Sequence, residues 1–437
     1  MNLESLVTTR IPQVQQNNDG RKRLVSGLWL LAACASPLPL VLLWGLVSGG
    51  IGAVDLQVYR VGGEAWLRDI PLYAPGFPAP LHGPQLAFTY PPLAAVLFSV
   101  LALVPSSVAL LLLTLAGFAA LAATCVLAAS RVGLRPGYGI GLAIAAVGLA
   151  FEPVRETLSF GQINLILMGL IALDCLLPRT RWPRGMLIGV AAAIKLTPAV
   201  FVLFFLPRRQ WKPVLTAAAT FVACGLLGWV LAPRDTVAYW FGALLDPSRI
   251  GGLAYTANQS LRGVLHRLGL PAGTETVAWL GTSLLVVAVT WFVVRGARGN
   301  GKDLAALIAV GATQLSISPV SWSHHWVWIA PAAVLLAGAL WKYRDARLGW
   351  GVVVMLMFVL APQWWMPRGG NHELDWSWWQ HILGNVYVWS ALAFLGVLAV
   401  RVARSAREAR NPELDAETGV LLDEPEPVAD ACVQGAR

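Results

Sequence analysis

Residues 108–129 read VALLLLTLAGFAALAATCVLAA, twenty-two positions without a charge or a proline. As a helix rising 1.5 Å per residue this stretch covers about 33 Å, enough to cross a hydrocarbon core of about 30 Å. Leu24–Val47, Val214–Leu231, Val277–Val294 and Ile382–Val400 read the same way. Composition agrees: 57% of the 437 residues are hydrophobic and 13% charged, against about 25% charged in an ordinary soluble domain. Transmembrane β-barrels show short alternating strands instead, so the sequence predicts an all-α integral membrane protein.

The net charge of +9 raises the possibility of a nucleic-acid binder. The basic residues, however, fall in short clusters between apolar runs, which is positive-inside patterning and excludes nucleic acid as a partner. Arg21–Arg23, Arg131 with Arg135, Arg179–Arg184, Arg208–Lys212, Arg295–Lys302, Lys342–Arg347 and Arg401–Arg410 are then cytoplasmic. The long loops 48–90, 233–275 and 362–381 fall outside, the last with Trp364, Trp365, Trp376, Trp378 and Trp379 for the membrane boundary. Five scattered cysteines, Cys34, Cys125, Cys175, Cys224 and Cys432, lack disulfide or metal spacing and read as packing residues.

Apolar helices are predicted at 24–47, 91–104, 107–130, 138–151, 162–177, 186–206, 213–232, 276–294, 304–317, 325–341, 348–361 and 382–402. They lie between a polar cytoplasmic segment, 1–23, and an acidic tail, 404–437. The first is a retained anchor, being long and without a small-residue cleavage site. Segment 186–206 has basic clusters at both ends and Lys195-Leu196-Thr197-Pro198 in its middle. It must enter and return, as a broken helix buried in protein or lining a cavity. Between 91 and 130, either 91–104 lies shallow or the loop near Arg131 is external.

Asp55 follows Ser48-Gly49-Gly50-Ile51-Gly52 at the end of the first span. A carboxylate at an apolar boundary can serve as a general base, since desolvation raises its pKa. It can equally cap the helical pattern that follows it. Lys195 stands alone in an apolar segment, where a cation is costly without a partner; a lipid-linked phosphate and simple snorkelling both answer that cost. His324 and His325 open an external helix, where they can donate to a phosphate or hydroxyl or be satisfied by backbone and water. Gln162 and Asn164 offer amides for sugar hydroxyls or for capping. Arg262 and His266 share a helix face suited to a lipid-phosphate path. Arg155 can support a phosphate or join Glu152 or Glu156 in a local salt bridge. Asn258-Gln259-Ser260 matches a glycosylation acceptor pattern by coincidence, and His372, Glu373 and Asp375 offer only a weak acceptor role.

As a set, several short motifs carry a resemblance. Asp55, Tyr59, Pro71-Leu72-Tyr73 and Phe88-Thr89-Tyr90-Pro91-Pro92 are followed by Ser159-Phe160-Gly161-Gln162-Ile163-Asn164, Lys195-Leu196-Thr197-Pro198, Asn258-Gln259-Ser260-Leu261 and Ser318-Pro319-Val320-Ser321-Trp322-Ser323-His324-His325. In this order, from about residue 50 to 340, they resemble glycosyltransferase family 87. The resemblance implies the polytopic type C glycosyltransferase fold, with about 10–13 transmembrane helices and a long first extracytoplasmic loop. It also implies mannose transfer from a polyprenyl-monophosphate mannose to a phosphatidylinositol mannoside glycolipid, with an α-(1→2) linkage, at the extracytoplasmic face of the plasma membrane.

Lipomannan branching is the alternative acceptor chemistry, and a lipid-linked-sugar flippase the alternative class. On this resemblance Asp55 is the base. Lys195, His324, His325 and Arg262 are placed on the donor phosphate, and Tyr59, Tyr90, Gln162, Asn164, Asn258 and Gln259 on the substrates. No metal and no cofactor are expected.

Overall fold

The computed structural model describes residues 53–78, 86–134, 137–246, 249, 251–299, 301–343 and 348–408. The predicted cytoplasmic segment 1–23, the first span at 24–47 and residues 409–437 of the tail lie outside the described residues, as do Cys34 and Cys432. Every longer element among the described residues is helical.

The chain begins with α1 (Val54–Leu67), α2 (Pro92–Ala102), α3 (Ser106–Arg131) and α4 (Gly137–Gly148). The two short helices α1 and α2 pack on each other. At Gly63 a Cβ would stand 2.6 Å from the Ser99 Cα, and at Gly62 one would strike the Phe88 ring, so these two positions let the backbones close up. Arg60 Nη1 donates to the carbonyls of Leu101 and Val104, capping the last turn of α2. At eleven residues α2 spans only about 16 Å, which fits the shallow reading of 91–104.

A sharp turn follows α4, into α5 (Glu152–Ser159) and α6 (Asn164–Leu176), bent by 119° to each other. The bend is made at Gly161, whose φ of +64° suits glycine and whose absent side chain admits Leu56 of α1. The chain then turns through the Arg179–Arg184 loop into α7 (Met186–Ile194). Asp174, fully buried, accepts from the backbone N–H groups of Gly185 and Ile188 and from Trp182 Nε1, which fixes that turn.

Segment 186–206 doubles back on itself. After α7 the backbone becomes extended at Lys195, φ −144° and ψ 124°, and continues as 3-10 turns over Thr197–Phe204 and Leu206–Arg208. Pro198 withholds the N–H that an α-helix would need there. Its two ends lie on one side: at Gly185 a Cβ would touch the carbonyl of Pro213, just past the exit. Lys195 is therefore at the tip of a hairpin.

The remaining helices are α8 (Trp211–Leu231), α9 (Pro233–Phe241), α10 (Leu261–Arg267), α11 (Ala272–Gly296), α12 (Lys302–Ile317), α13 (Ile329–Tyr343), α14 (Gly349–Leu360), α15 (Trp378–Gly384) and α16 (Val386–Glu408). Apart from 186–206, each apolar segment predicted beyond residue 90 is α-helical, with ends shifted by a few residues. The predicted tail boundary at 404 moves outward, because α16 stays helical to Glu408.

Four described helices are long and apolar enough to cross a membrane, namely α3, α8, α11 and the Val386–Arg407 part of α16, and the bent pair α5–α6 makes up to five. Further apolar segments are shorter helices: α2, α13, α14 and the Thr197–Arg208 turns. This is a multi-pass membrane protein. Cys125 and Cys175 are buried among these helices and Cys224 half-buried, all as free thiols.

The basic clusters gather. Arg208 pairs with Asp303 at 2.8 Å and bonds the Ala297 carbonyl; Arg131, Lys302, Lys342, Arg401 and Arg404 line one cavity. Arg131 thus sits with the other basic loops.

Candidate active site

Asp55 lies in the first turn of α1, one residue past its start, so it is not the N-cap. Ala53 occupies that place and no side chain caps the helix. The Leu56 N–H instead donates to the carbonyl of Phe160 at 3.0 Å, tying the start of α1 to the α5–α6 bend. This tie brings Gln162 to Asp55, with Gln162 Nε2 donating to Asp55 Oδ1 at 2.7 Å.

Behind Gln162 stands an aromatic wall. The Tyr59 hydroxyl donates to Gln162 Oε1, lies 3.3 Å from the Tyr90 hydroxyl, and accepts from the Ile163 N–H at 3.3 Å. Tyr59 stacks on Phe98, and Tyr90 packs edge-on against it. Tyr90 is placed by Tyr73, whose hydroxyl donates to the Tyr90 carbonyl at 2.5 Å. Leu72 of the Pro-Leu-Tyr motif is held by its N–H to Asp235 Oδ1 at 2.9 Å.

On the other side come Lys195 and the two histidines. Lys195 Nζ donates to Asn164 Oδ1 at 3.1 Å, lies 3.4 Å from His325 Nε2, and stands 5.6 Å from the centre of the Tyr90 ring. Asn164 Nδ2 and Thr157 Oγ1 both donate to the His324 carbonyl, at 3.2 and 2.6 Å. His324 Nε2 is 3.9 Å from Asp55 Oδ2, too far for a hydrogen bond, and it has no bonded partner among the described residues.

The electrostatics follow from burial. Asp55, its side chain 22% exposed, has its carboxyl pushed up to about 6 by desolvation, with the nearby Lys195 charge opposing the rise. Burial, reinforced by Lys195, holds His324 down at about 3 and His325 well below its usual value. Both histidines are neutral near pH 7, each with one N–H to give, and Lys195 is the cation of the cluster. A carboxylate reachable from one side, neutral donors and one cation together can take a proton from a hydroxyl and receive an anionic leaving group.

Eight of the sequence-predicted site residues therefore come together: Asp55, Tyr59, Tyr90, Gln162, Asn164, Lys195, His324 and His325. Three do not. Arg262 Nε pairs with Glu275 Oε1 at 3.1 Å, His266 Nδ1 lies 2.8 Å from Glu275 Oε2, and the Arg262 guanidinium stands over Trp279. Its charge is already matched on its own helix pair, α10–α11.

Asn258 and Gln259 are fully buried. Asn258 bonds the Leu253 carbonyl and the Ser321 N–H, while Gln259 Nε2 bonds the carbonyls of Thr256 and Gly384. With the bond from the Gln259 N–H to the Ser321 carbonyl, they anchor the strand-like stretch leading to His324. Their amides face main chain, so they present little to a substrate.

Arg155 is exposed and bonded to the Ala150 carbonyl. Glu152 makes no salt bridge with it; its buried carboxylate accepts from Ser323 Oγ at 2.7 Å, Trp364 Nε1 at 2.8 Å and the Tyr387 hydroxyl at 3.0 Å. Glu152 thereby fixes the residue before His324, a task not readable from sequence. Glu373 likewise turns inward, to the N–H groups of Thr256 and Gly369. Thr157, beside Glu156, is a second support that sequence reasoning passed over.

The family model for glycosyltransferase family 87 matches residues 88–320, from the Phe-Thr-Tyr-Pro-Pro motif to the stretch before the histidines. The chain belongs to glycosyltransferase family 87. Among similar proteins, one from Mycobacterium tuberculosis is 39% identical over 88% of this chain and 92% of its own length. One from Mycolicibacterium smegmatis is 36% identical over 82% and 86%. Both are named polyprenol-phosphate-mannose-dependent alpha-(1-2)-phosphatidylinositol mannoside mannosyltransferases. A second M. smegmatis protein, 35% identical over 81% of this chain and 87% of its own, is named for a phosphatidylinositol pentamannoside acceptor. All three names describe transferases and none a transporter. No solved structure matches this glycosyltransferase.

Proposed function

We propose that this glycosyltransferase moves mannose from polyprenyl-monophosphate mannose to a mannose hydroxyl of a phosphatidylinositol mannoside, making an α-(1→2) bond with inversion. Asp55 takes the proton of the acceptor hydroxyl as that oxygen attacks the anomeric carbon from the face opposite the phosphate. The bond from the anomeric carbon to the phosphate oxygen breaks, and its electron pair leaves with the phosphate. Lys195, with His325 beside it, receives that negative charge. His324, its Nε2 unbonded and 3.9 Å from the Asp55 carboxylate, faces the acceptor hydroxyl. Phosphate leaves without a proton donor, so one carboxylate suffices where hydrolysis between two sugars uses a pair. A β-linked donor gives an α-linked product, with no metal or cofactor.

The observation that carries this reading is the pairing of a partly exposed carboxylate, raised to about 6, with a single cation held at a hairpin tip. The names of the similar proteins support the donor, the acceptor and the linkage. Collection of the basic loops at the end opposite Asp55 supports an active site facing outward from the plasma membrane. The test is a reaction of purified protein with polyprenyl-phosphate mannose and, in parallel, a phosphatidylinositol mannoside or lipomannan. An α-(1→2)-linked product on the mannoside is expected. If no glycosidic bond forms on either acceptor, the reading fails; faster transfer to lipomannan moves the enzyme to polymer branching.

A further inference from the structure

At the end of the molecule away from Asp55, a cavity of about 1970 Å3 opens between α3, α12, α13, α14 and α16. Its walls are mostly apolar, formed in part by Val126, Leu335, Val354 and Phe394. Among the described residues its lining includes Arg131, Lys302, Lys342, Arg401 and Arg404, and no Asp or Glu. Helix polarity places these cations far from the active site. α3 starts at Ser106, bonded to Gln57 beside the Asp55 turn, and reaches Arg131 about 39 Å later. α13 starts just after His325 and ends near Lys342; α16 starts at the Glu152 anchor, through Tyr387, and ends past Arg404.

Three further features narrow the ligand. Arg131, Lys302, Arg401 and Arg404 make no ion pair or side-chain hydrogen bond with any described residue, unlike Arg208, which has Asp303. Trp341, Tyr343 and Trp350 stand largely exposed at the same end, as aromatic residues do where headgroups meet hydrocarbon. The volume exceeds the roughly 300–1,000 Å3 of ordinary small-molecule pockets. A free inorganic anion would leave most of it empty.

We propose that this cavity binds an anionic phospholipid. The phosphate lies among Arg131, Lys302, Arg401 and Arg404, and the acyl chains lie against the apolar walls. Positive-inside charge alone attracts such lipids to the surface, but here the cations converge on an apolar recess that admits a whole lipid. The site is separate from the transfer reaction and stands whether or not the proposed acceptor is right.

The test uses the purified full chain in neutral detergent with equal amounts of phosphatidylglycerol and phosphatidylcholine, bound lipid being read by native mass spectrometry. Wild type should retain phosphatidylglycerol preferentially. The double variant Arg401→Gln/Arg404→Gln should weaken that binding by roughly 30-fold, about fivefold for each basic residue near a membrane surface. Ala393→Trp, which fills the recess from an exposed wall position without changing charge, should weaken it as well. Unchanged unfolding temperatures separate these effects from misfolding. The proposal is overturned if the charge variant keeps its preference, or if only the charge variant has an effect, which would mean surface attraction alone. It is also overturned if inorganic phosphate displaces the lipid, or if lipid binds only after removal of residues 409–437, which would make the acidic tail the occupant.

Discussion

Lys195 and Arg262 are both half-buried cations expected to meet a lipid phosphate, and the fold treats them in opposite ways. Arg262 finds Glu275, which also takes His266, so its charge is matched within α10 and α11 before any ligand arrives. Lys195 is given neutral partners, Asn164 and His325, and its influence on the Asp55 carboxyl is felt only through space. A cation left with neutral hydrogen-bond partners in a desolvated site keeps its charge available for an incoming anion. One already paired with a carboxylate stabilises structure instead.

The largest effect should come from the carboxylate that Lys195 faces. Asp55→Asn keeps the shape and the Gln162 bond but removes the base, so kcat should fall about 10³–10⁴-fold with the unfolding temperature unchanged. Full turnover in a folded Asp55→Asn protein would end the base assignment. Lys195→Gln comes next, with a loss of about 10²-fold or more from missing charge stabilisation. If Lys195 serves only to fill the hairpin tip, Lys195→Met should match wild type in turnover, and the contrast with Arg262 would disappear.

The pH profile sharpens the same contrast. The base works ionised, and the Asp55 carboxyl is raised to about 6. Turnover should therefore fall about tenfold per unit below that value as the carboxylate protonates, and fall again above about 8, the value to which burial lowers Lys195, as the cation facing the leaving phosphate is lost. Lys195 lowers the Asp55 value, so in Lys195→Gln the acidic limb should move to higher pH. A limb that stays in place, measured from residual activity between pH 5 and 8, would show that the two charges are not coupled.

Much of this arrangement can be read in the chain before folding is considered. Apolar periodicity and length locate the helices beyond residue 90, and Pro198 with its flanking basic clusters predicts the hairpin that carries Lys195. The motif order assembles Asp55, Gln162, Lys195 and His324. What sequence cannot supply is partner choice across long separations. Ser323, Trp364 and Tyr387 reach Glu152 across 171, 212 and 235 residues, and nothing local to Glu152 distinguishes that outcome from a salt bridge with Arg155.

Arg262 shows the same limit. Its i,i+4 spacing to His266 suggests a shared basic face, but Glu275, thirteen residues on and across a helix turn, neutralises it. α1 was half legible, because Asp55, Gln57, Arg60 and Glu64 interrupt its apolar face and hide it in an apparent loop.

The smallest effect on chemistry is expected at Arg262 itself, and it decides whether the comparison is sound. Arg262→Gln removes a hydrogen-bonded charge whose side chain is 18% exposed and leaves Glu275, 6% exposed, to His266 alone. Losing a hydrogen bond to a charged group costs about 1.5–3 kcal/mol, so the unfolding temperature should drop measurably. Turnover, the Michaelis constant for the polyprenyl-phosphate donor and the acidic limb should stay within about twofold of wild type, because no atom of Arg262 is bonded to the Asp55 cluster. A large rise in the donor Michaelis constant at unchanged stability would instead place Arg262 on the path of the lipid phosphate.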